Sequence, residues 1–401
     1  MVCRVVGLFL ILMGVFMGAW PLLAQQPSTR EAAGTPGANT PDEPLRQRYS
    51  PEAAVGFLDA VVLDWQRDNK CIACHTDYAY LVARPAVAWD APAHRQIRAA
   101  AERAAEQDGL QAKDPARSSE SVMLAAGLAI NDARTTRTLH PTTRRALDRM
   151  WTLQRPDGGW PWPTQCQWPP SEIDEHFGVA VAALAVGMAP GEYSRTPPAK
   201  QGLDKIRLYL GRNPPASAYE RGMLLWASRY VDGILTEAAK KAAVEELLSL
   251  QRPDGGWAFA SLGNWRRSDG KPQDTQTSDG YGTGFVVYVL RMAGLSAEHP
   301  QIRKGVDWLK THQRASGRWY TRSAKKDGKH YVTHEGTAFA LMALAECHEI
   351  PNTPSAKIGA DRSRAIGNLI SADRPAAAKQ ESIAPGSSFL PVGGMGSARK
   401  R

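Results

Sequence analysis

The sequence predicts an all-α protein: six helical hairpins closed into a ring, an α6/α6 toroid. Three observations carry this. The first is a repeat. "LDRMWTLQRPDGGW" (Leu147 to Trp160), "VEELLSLQRPDGGW" (Val244 to Trp257) and "VDWLKTHQRASGRW" (Val306 to Trp319) each run from a helical stretch through Gln-Arg into a Gly-rich turn and a Trp. The second is a run of small apolar residues with almost no charge after each turn, the signature of a helix buried on all sides. The third is that degenerate copies bring the number of such pairs to six. Repeated helical units stack or close into arrays, and closure removes the exposed ends that an open array must cap.

In chain order, Glu52–Gln66 reads as an outer helix and Tyr78–Val87 as its inner partner. His94–Gln107 is amphipathic and outer, and Ser119–Asn131 inner. The third outer helix begins near residue 142 and leads to the inner "HFGVAVAALAVGMA" (His176 to Ala189). Gln201–Leu210 pairs with Tyr219–Val231, and Thr236–Gln251 with "YGTGFVVYVLRMAGL" (Tyr281 to Leu295). An outer helix starting near 299 precedes "EGTAFALMALAEC" (Glu335 to Cys347). The toroid therefore occupies residues 50–350.

The flanks read differently. Met1 to Arg4 is short and basic, Val5 to Ala19 is apolar, and Ala24 ends a signal-peptide pattern over residues 1–24, with an uncleaved anchor as the competing reading because Leu22 fits the cleavage rule poorly. No later stretch has 18 uncharged apolar residues in a row. Residues 25–49 and 351–401 are rich in Pro, Gly, Ser and charge, lack apolar periodicity and read as disordered. The chain is thus expected to be exported to a periplasm-like compartment, with membrane contact only through an uncleaved signal. Hydrophobic residues make up 43% of the 401, enough to bury a core. A net charge of +9 is spread along the chain with no basic stripe interleaved with aromatics, which argues against nucleic acid as a partner.

The Q-x-x-D-G-x-W element resembles the QW motif of squalene–hopene and oxidosqualene cyclases, whose toroid is shared by the β subunits of protein prenyltransferases. The resemblance covers roughly residues 50–348. It implies a structural job for Gln154, Trp160, Gln251, Trp257, Gln313 and Trp319: Gln caps the neighbouring helix end and Trp stacks on it. That agrees with the need of helix termini for partners and with the large face a Trp buries.

The resemblance also raises an activity. Squalene–hopene cyclases protonate an alkene with an aspartate of a D-x-D-D run at the start of an inner helix. Clustered carboxylates in a water-poor pocket supply a suitable acid. Here the corresponding run is "SEIDEHFG", with Glu172, Asp174 and Glu175 as candidate acids and helix capping as the competing role. The "HEGTAF" helix offers only Glu335. The run departs from D-x-D-D, and one toroid stands where such a cyclase uses two. The prenyltransferase zinc set fails as well: Asp279 is present, but Tyr281 replaces the cysteine and His334 is displaced, so zinc is not expected.

The remaining motif is "DNKCIACHTDY". Cys71-Ile72-Ala73-Cys74-His75 is the C-x-x-C-H spacing of covalent haem c, two thiols to add to the vinyl groups and an adjacent imidazole for the iron. A Cys71–Cys74 disulfide and a metal half-site are the competing readings. Aligned with the QW elements, Gln66-Arg67 matches Gln154-Arg155 and Cys71 falls where Trp160 stands. The motif therefore occupies the first hairpin's turn, at the barrel mouth. His176, His334 and Met123, each near an inner-helix start, are the candidates for a second iron ligand, His176 first. Cys166 reads as free or paired with another cysteine. Three functions remain open: a haem-bearing redox or ligand-binding toroid with a redox partner; an enzyme on an apolar isoprenoid-like ligand using the Glu172–Glu175 acids; or a partner-binding scaffold without haem.

Overall fold

The computed structural model describes residues 37–69, 72, 74–87, 90–107 and 114–350, with only the backbone of Cys74. The predicted signal segment, residues 351–401 and Cys71 lie outside the described residues. Among the described residues, twelve α-helices alternate between two rings. The outer ring comprises α1 (Pro51–Asn69), α3 (Pro92–Glu106), α5 (Pro141–Thr152), α7 (Pro197–Arg212), α9 (Glu237–Ser249) and α11 (Pro300–Thr311). The inner ring comprises α2 (Ala79–Ala83), α4 (Pro115–Arg134), α6 (His176–Met188), α8 (Ala218–Ser228), α10 (Gly280–Met292) and α12 (Tyr331–Glu346).

Closure is direct. Each inner helix packs on the next, from α2 through α4, α6, α8, α10 and α12, and α12 packs back on α2. Outer helices lie over the inner seams: α3 and α5 both touch α4, α9 touches α8 and α10, and α11 touches α10 and α12. Pro opens five of the six outer helices, where a missing N–H costs nothing. Inner helices start on caps when they have them: the side chains of Asp114, Ser217 and Asp279 accept first-turn N–H groups of α4, α8 and α10. Residues of α6 and α10 are buried almost throughout, as an inner position requires. Among the described residues no helix is long and apolar enough to cross a membrane.

The QW element works differently from its expected division of labour. Each Trp serves its own outer helix: the indole N–H of Trp160, Trp257 and Trp319 donates to Met150 O (3.0 Å), Leu247 O (2.7 Å) and Leu309 O (2.7 Å). These are last-turn carbonyls, which lack an i+4 donor in the helix; Met150 O and Leu309 O also accept the N–H of the residue three further on. Each Gln instead bridges its own turn to the next outer helix. Gln251 Nε2 donates to Gly255 O and to Gln301 O, both at 2.8 Å. Gln313 donates to Gly317 O and Ser50 O (2.9 Å each) and accepts from Ser50 N (2.8 Å), so the last copy seals the ring onto the start of α1. The glycines are forced by the same contact. Gly158, Gly255 and Gly317 have φ of +96°, +92° and +96°. A Cβ at Gly317 would lie 2.1 Å from Ala53 O. Only glycine tolerates both that conformation and that approach.

The stretch 37–49, expected to be disordered, is instead pinned across the third QW turn. Leu45 bridges to Arg314, and Glu43 holds the buried guanidinium of Arg318 (Nε to Oε2, 2.6 Å), which also donates to Gly37 O and Ala38 O. A buried arginine without such partners would carry a large desolvation cost, and the strap supplies them.

Candidate functional site

Two features meet at the start of α12, one on each side of the helix. The first is a corner at the barrel mouth. α1 ends at Asn69, and Gln66, which holds the QW glutamine position, donates to Asp77 Oδ1 (2.7 Å). Cys74–Tyr78 forms a π-helical turn, a rare wide turn. His75 on this turn packs its ring 4.9 Å from Trp65, edge to face, and 4.0 Å from Tyr331. Burial pushes the His75 imidazole down to about 3, with His330 adding to the effect. It is therefore neutral at physiological pH, the state in which imidazole binds metals. Beside this corner opens a groove of about 470 Å³, walled by Phe57, Val61 and Trp65 of α1 and by His330, Tyr331 and His334. His334 Nδ1 lies 3.4 Å from Thr76 Oγ1, and its ring meets the edge of Phe57.

The second feature lies on the barrel axis. Glu335, one residue past His334, faces inward and is 6% exposed. Burial pushes its carboxyl up to about 8, opposed by a hydrogen bond with Tyr281 and reinforced by Glu172. Around it stand Tyr78, Phe177, Tyr219, Trp226, Tyr281 and Phe339. The Tyr219 and Tyr281 hydroxyls are 3.0 Å apart. A neutral carboxylic acid among aromatic faces can donate a proton and stabilise a cation. The remaining space is about 20 Å³. That is room for about one water, far below the roughly 300–1,000 Å³ of drug-sized ligand pockets.

The predicted acid run is not a cluster. Glu175 is committed to Arg155, whose Nη1 donates to Oε1 at 2.6 Å and whose Nη2 pairs with Oε2. Asp174 Oδ1 accepts the His176 backbone N–H (2.8 Å), which is a capping role at the start of α6. Glu172 is half-buried, with Cys166 and Lys325 near it. Burial pushes it up to about 7, opposed by the Cys166 thiol and by Lys325, and its charge is felt at Glu335. Sequence reasoning placed the acids next to one another. The structure couples one of them to a carboxyl on a different helix, and "HEGTAF" was the signal for it.

The candidate iron ligands separate in the same way. His176 is buried beside Asp174 and lines a water-sized recess with Glu220, apart from the groove next to His75. Met123, 2% exposed, is part of the core. His334 is the one of the three at the groove. His330, which sequence reasoning missed, lies there too, four residues before it. Asp279 caps α10, accepting from Gly282 N (2.8 Å), Phe259 N (2.7 Å) and Thr321 Oγ1 (3.2 Å). Cys166 is exposed and Cys347 buried, and neither is in a disulfide. Among the described residues no three His, Cys, Asp or Glu side chains converge to hold a metal ion, a statement that does not extend to Cys71.

Part of the chain is similar to known proteins. The squalene-hopene cyclase C-terminal domain matches residues 211–349 and 275–389. The squalene–hopene cyclase of Bradyrhizobium diazoefficiens is 29% identical over 124 residues, 30% of this chain and 18% of that protein. A probable squalene–hopene cyclase of Sinorhizobium fredii is 31% identical over 118 residues, 28% of this chain and 18% of that protein. The Zymomonas mobilis enzyme is 35% identical over 116 residues, 27% of this chain and 16% of that protein. This chain therefore spans less than a fifth of the length of those relatives. Among solved structures, ent-copalyl diphosphate synthase from Streptomyces platensis superposes with a TM-score of 0.45 at 19% identity, covering 69% of this chain and 51% of that one. The chain is an α/α toroid, and residues 211–389 are similar to the squalene-hopene cyclase C-terminal domain.

Proposed function

We propose that this toroid carries one covalent c-type haem at its mouth and acts there in electron transfer or ligand binding, in an exported setting. The observation that supports it most is the built corner around His75. A C-x-x-C-H stands in the position of a QW turn, and its histidine is seated between Trp65 and Tyr331 beside a groove of about 470 Å³. The axis, by contrast, has room for about one water. A ligand of any size is thus better accommodated at the mouth than inside.

The residues fit the group. Cys71 and Cys74 would hold it through thioethers and His75 through its ring. Each thioether forms by addition of the S–H across a vinyl group: sulfur bonds one carbon, hydrogen the other, and no oxidant is consumed. Trp65, Tyr331 and the α1 face offer apolar surface for a macrocycle. Lys329, with its ammonium 5.9 Å from the Trp168 and Tyr331 ring centroids, offers charge for carboxylate substituents. Bound haem would supply one-electron chemistry or an iron site for a small ligand. The test is pyridine haemochrome absorption of the full chain produced with a haem-maturation system. A c-type spectrum surviving denaturation is expected. A colourless protein would overturn the reading.

A second reading rests on Glu335. A carboxyl neutral near pH 7 in an aromatic box is the equipment for acid-assisted chemistry on an apolar, isoprenoid-like ligand, and the likeness to squalene–hopene cyclases supports the same class. In this reading Glu335, its carboxyl raised by burial and further by Glu172, takes the place of the Glu172–Asp174–Glu175 run as the acid. Turnover of a polyprenyl substrate that is lost in Glu335→Gln and kept in Glu175→Gln would support it. Equal turnover in Glu335→Gln would remove the role.

A further inference from the structure

We propose that a cavity between the second and third QW turns is a binding site for a neutral saccharide, a ligand that neither the haem reading nor the Glu335 reading involves. The cavity measures about 720 Å³, larger than the groove of about 470 Å³ at His330. It falls within the roughly 300–1,000 Å³ of small-molecule sites. Three observations point to this ligand.

The first is a wall that the repeat does not need. Between the QW Trp and the next inner helix lie 15 residues in the first full copy (161–175), 22 in the second (258–279) and 11 in the third (320–330). Connections longer than about 12–15 residues are uncommon unless they serve a function. The long second connection folds against the third, and together they line the cavity. Arg267, its side chain 1% exposed, joins them by donating to Asp269 Oδ1 (2.9 Å) and Asp327 Oδ1 (2.7 Å). Gln273 Nε2 donates to Trp265 O (3.0 Å) and Ala324 O (2.8 Å), and Ser268 N to Lys325 O (2.8 Å). Asn39, Thr40 and Pro41 of the N-terminal strap complete the lining. The site is therefore held in shape by the protein's own bonds, which lowers the ordering cost of binding.

The second is the balance of charge. On the lining, Arg322 and Asp327 pair with each other (Nε to Oδ1, 2.8 Å). Asp254, Asp274 and Asp279 then stand against Arg314 and Lys329. Arg314 pairs with no carboxylate among the described residues; its Nη1 donates to Glu43 O (2.8 Å). Burial pushes the Asp279 carboxyl up to about 7, which brings the two signs close to balance. A charged ligand of either sign meets like charge here, and such contacts are costly.

The third is the chemistry of the surfaces. The His312 ring stacks on Trp308, centroids 4.2 Å apart and planes 4° from parallel. Its Nδ1 lies 2.9 Å from Trp308 O, which fixes the ring and leaves Nε2 for a ligand. The Trp308 indole N–H donates to Asp254 Oδ2 (3.2 Å), so the platform is anchored on both sides. Tyr320 is half-buried, and its hydroxyl makes no hydrogen bond among the described residues. Asp274 Oδ1 accepts Gln276 N and Thr277 N (3.0 Å each), and Oδ2 retains acceptor capacity. Donors and acceptors thus alternate around aromatic faces. A sugar offers the complement: C–H groups on the faces of its ring and hydroxyls, each both donor and acceptor, at its edge.

The test is isothermal titration calorimetry of the full chain with cellobiose, maltose and N,N′-diacetylchitobiose, with inorganic phosphate and spermidine as charged comparisons. At least one disaccharide is expected to bind at a single class of sites and to raise the urea midpoint, and the charged probes to do neither. Thr277→Trp, which fills the cavity from its exposed rim, is expected to abolish binding. Tyr320→Phe, which removes one hydroxyl, is expected to weaken it about tenfold. Unfolding midpoints of the sugar-free variants matching the wild type establish that both fold, and Tyr320→Phe keeps the test valid should Thr277→Trp be unstable. No heat and no midpoint shift with any of the three disaccharides would overturn the proposal. Disaccharide binding indifferent to both variants would also overturn it, because the sugar would then sit elsewhere. Tighter binding of phosphate or spermidine than of the disaccharides would overturn the neutral class.

Discussion

Replacing Gln313 by Ala tests the idea that the last QW copy closes the ring. Gln313 is 1% exposed and makes three hydrogen bonds, to Gly317 O, Ser50 O and Ser50 N. Each contributes about 1 kcal/mol net, and a buried partner left unsatisfied costs about 1–3 kcal/mol. The loss should therefore reach about 3–4 kcal/mol. Gln154 is the internal control. It makes two longer bonds, 3.1 Å each to Gly158 O and Gly202 O, from a partly exposed position, and its removal should cost about 1–2 kcal/mol. The assay is equilibrium urea unfolding of the two variants and the wild type, with stabilities from the midpoints at common slope. Gln313→Ala should lose about 2 kcal/mol more than Gln154→Ala. Equal losses would refute the argument that the seam between α11 and α1 depends on this side chain, as would a Gln313→Ala effect below that of Gln154→Ala.

Packing and charge set two further outcomes. A methyl group at Gly284 would lie 2.5 Å from Ala340 N at the crossing of α10 and α12, so Gly284→Ala should destabilise by about 1–3 kcal/mol, measured by the same unfolding assay; a neutral result would contradict the close crossing. Glu335 has its folded carboxyl raised to about 8 from 4.5, so the folded state holds a proton that the unfolded state releases as pH climbs between those values. Stability should thus fall as pH rises from about 4.5 to 8, and Glu335→Gln should flatten that stretch of the stability–pH curve, whereas an unchanged slope would show that Glu335 is ionised in the fold.

Most of the architecture was written in periodicity. The inner helices α6, α10 and α12 are apolar all round because the ring surrounds them, and that pattern needs no tertiary knowledge to recognise. Boundaries moved where local chemistry intervened. The first inner element, expected over Tyr78–Val87, shortens to α2 because a π-turn precedes it and Pro85 ends it in a 3-10 turn. The second, expected from Ser119, starts at Pro115 on an Asp114 cap. The features that stayed hidden depend on partners far apart in sequence. The polar stretch 37–49 lacks a core signature, yet Arg318, some 275 residues later, fixes it through Glu43. Glu172, Asp174 and Glu175 look like a cluster because they are neighbours in sequence; Arg155 and the first turn of α6 each claim one of them. His330 could not be associated with His75 from a single sequence, because only the closure of α12 onto α1 and α2 brings residues 75 and 330 to one tyrosine ring.

We propose that the first turn of the toroid is a haem-attachment site. Intact mass spectrometry of the denatured full chain, matured in a haem-loading host, tests it most directly. The account predicts a species heavier than the polypeptide by one haem, absent from the Cys71→Ala, Cys74→Ala double variant. A wild-type mass equal to the polypeptide would rule out haem attachment, and so would a mass lower by two hydrogens, which marks a Cys71–Cys74 disulfide if that loss is absent from the double variant.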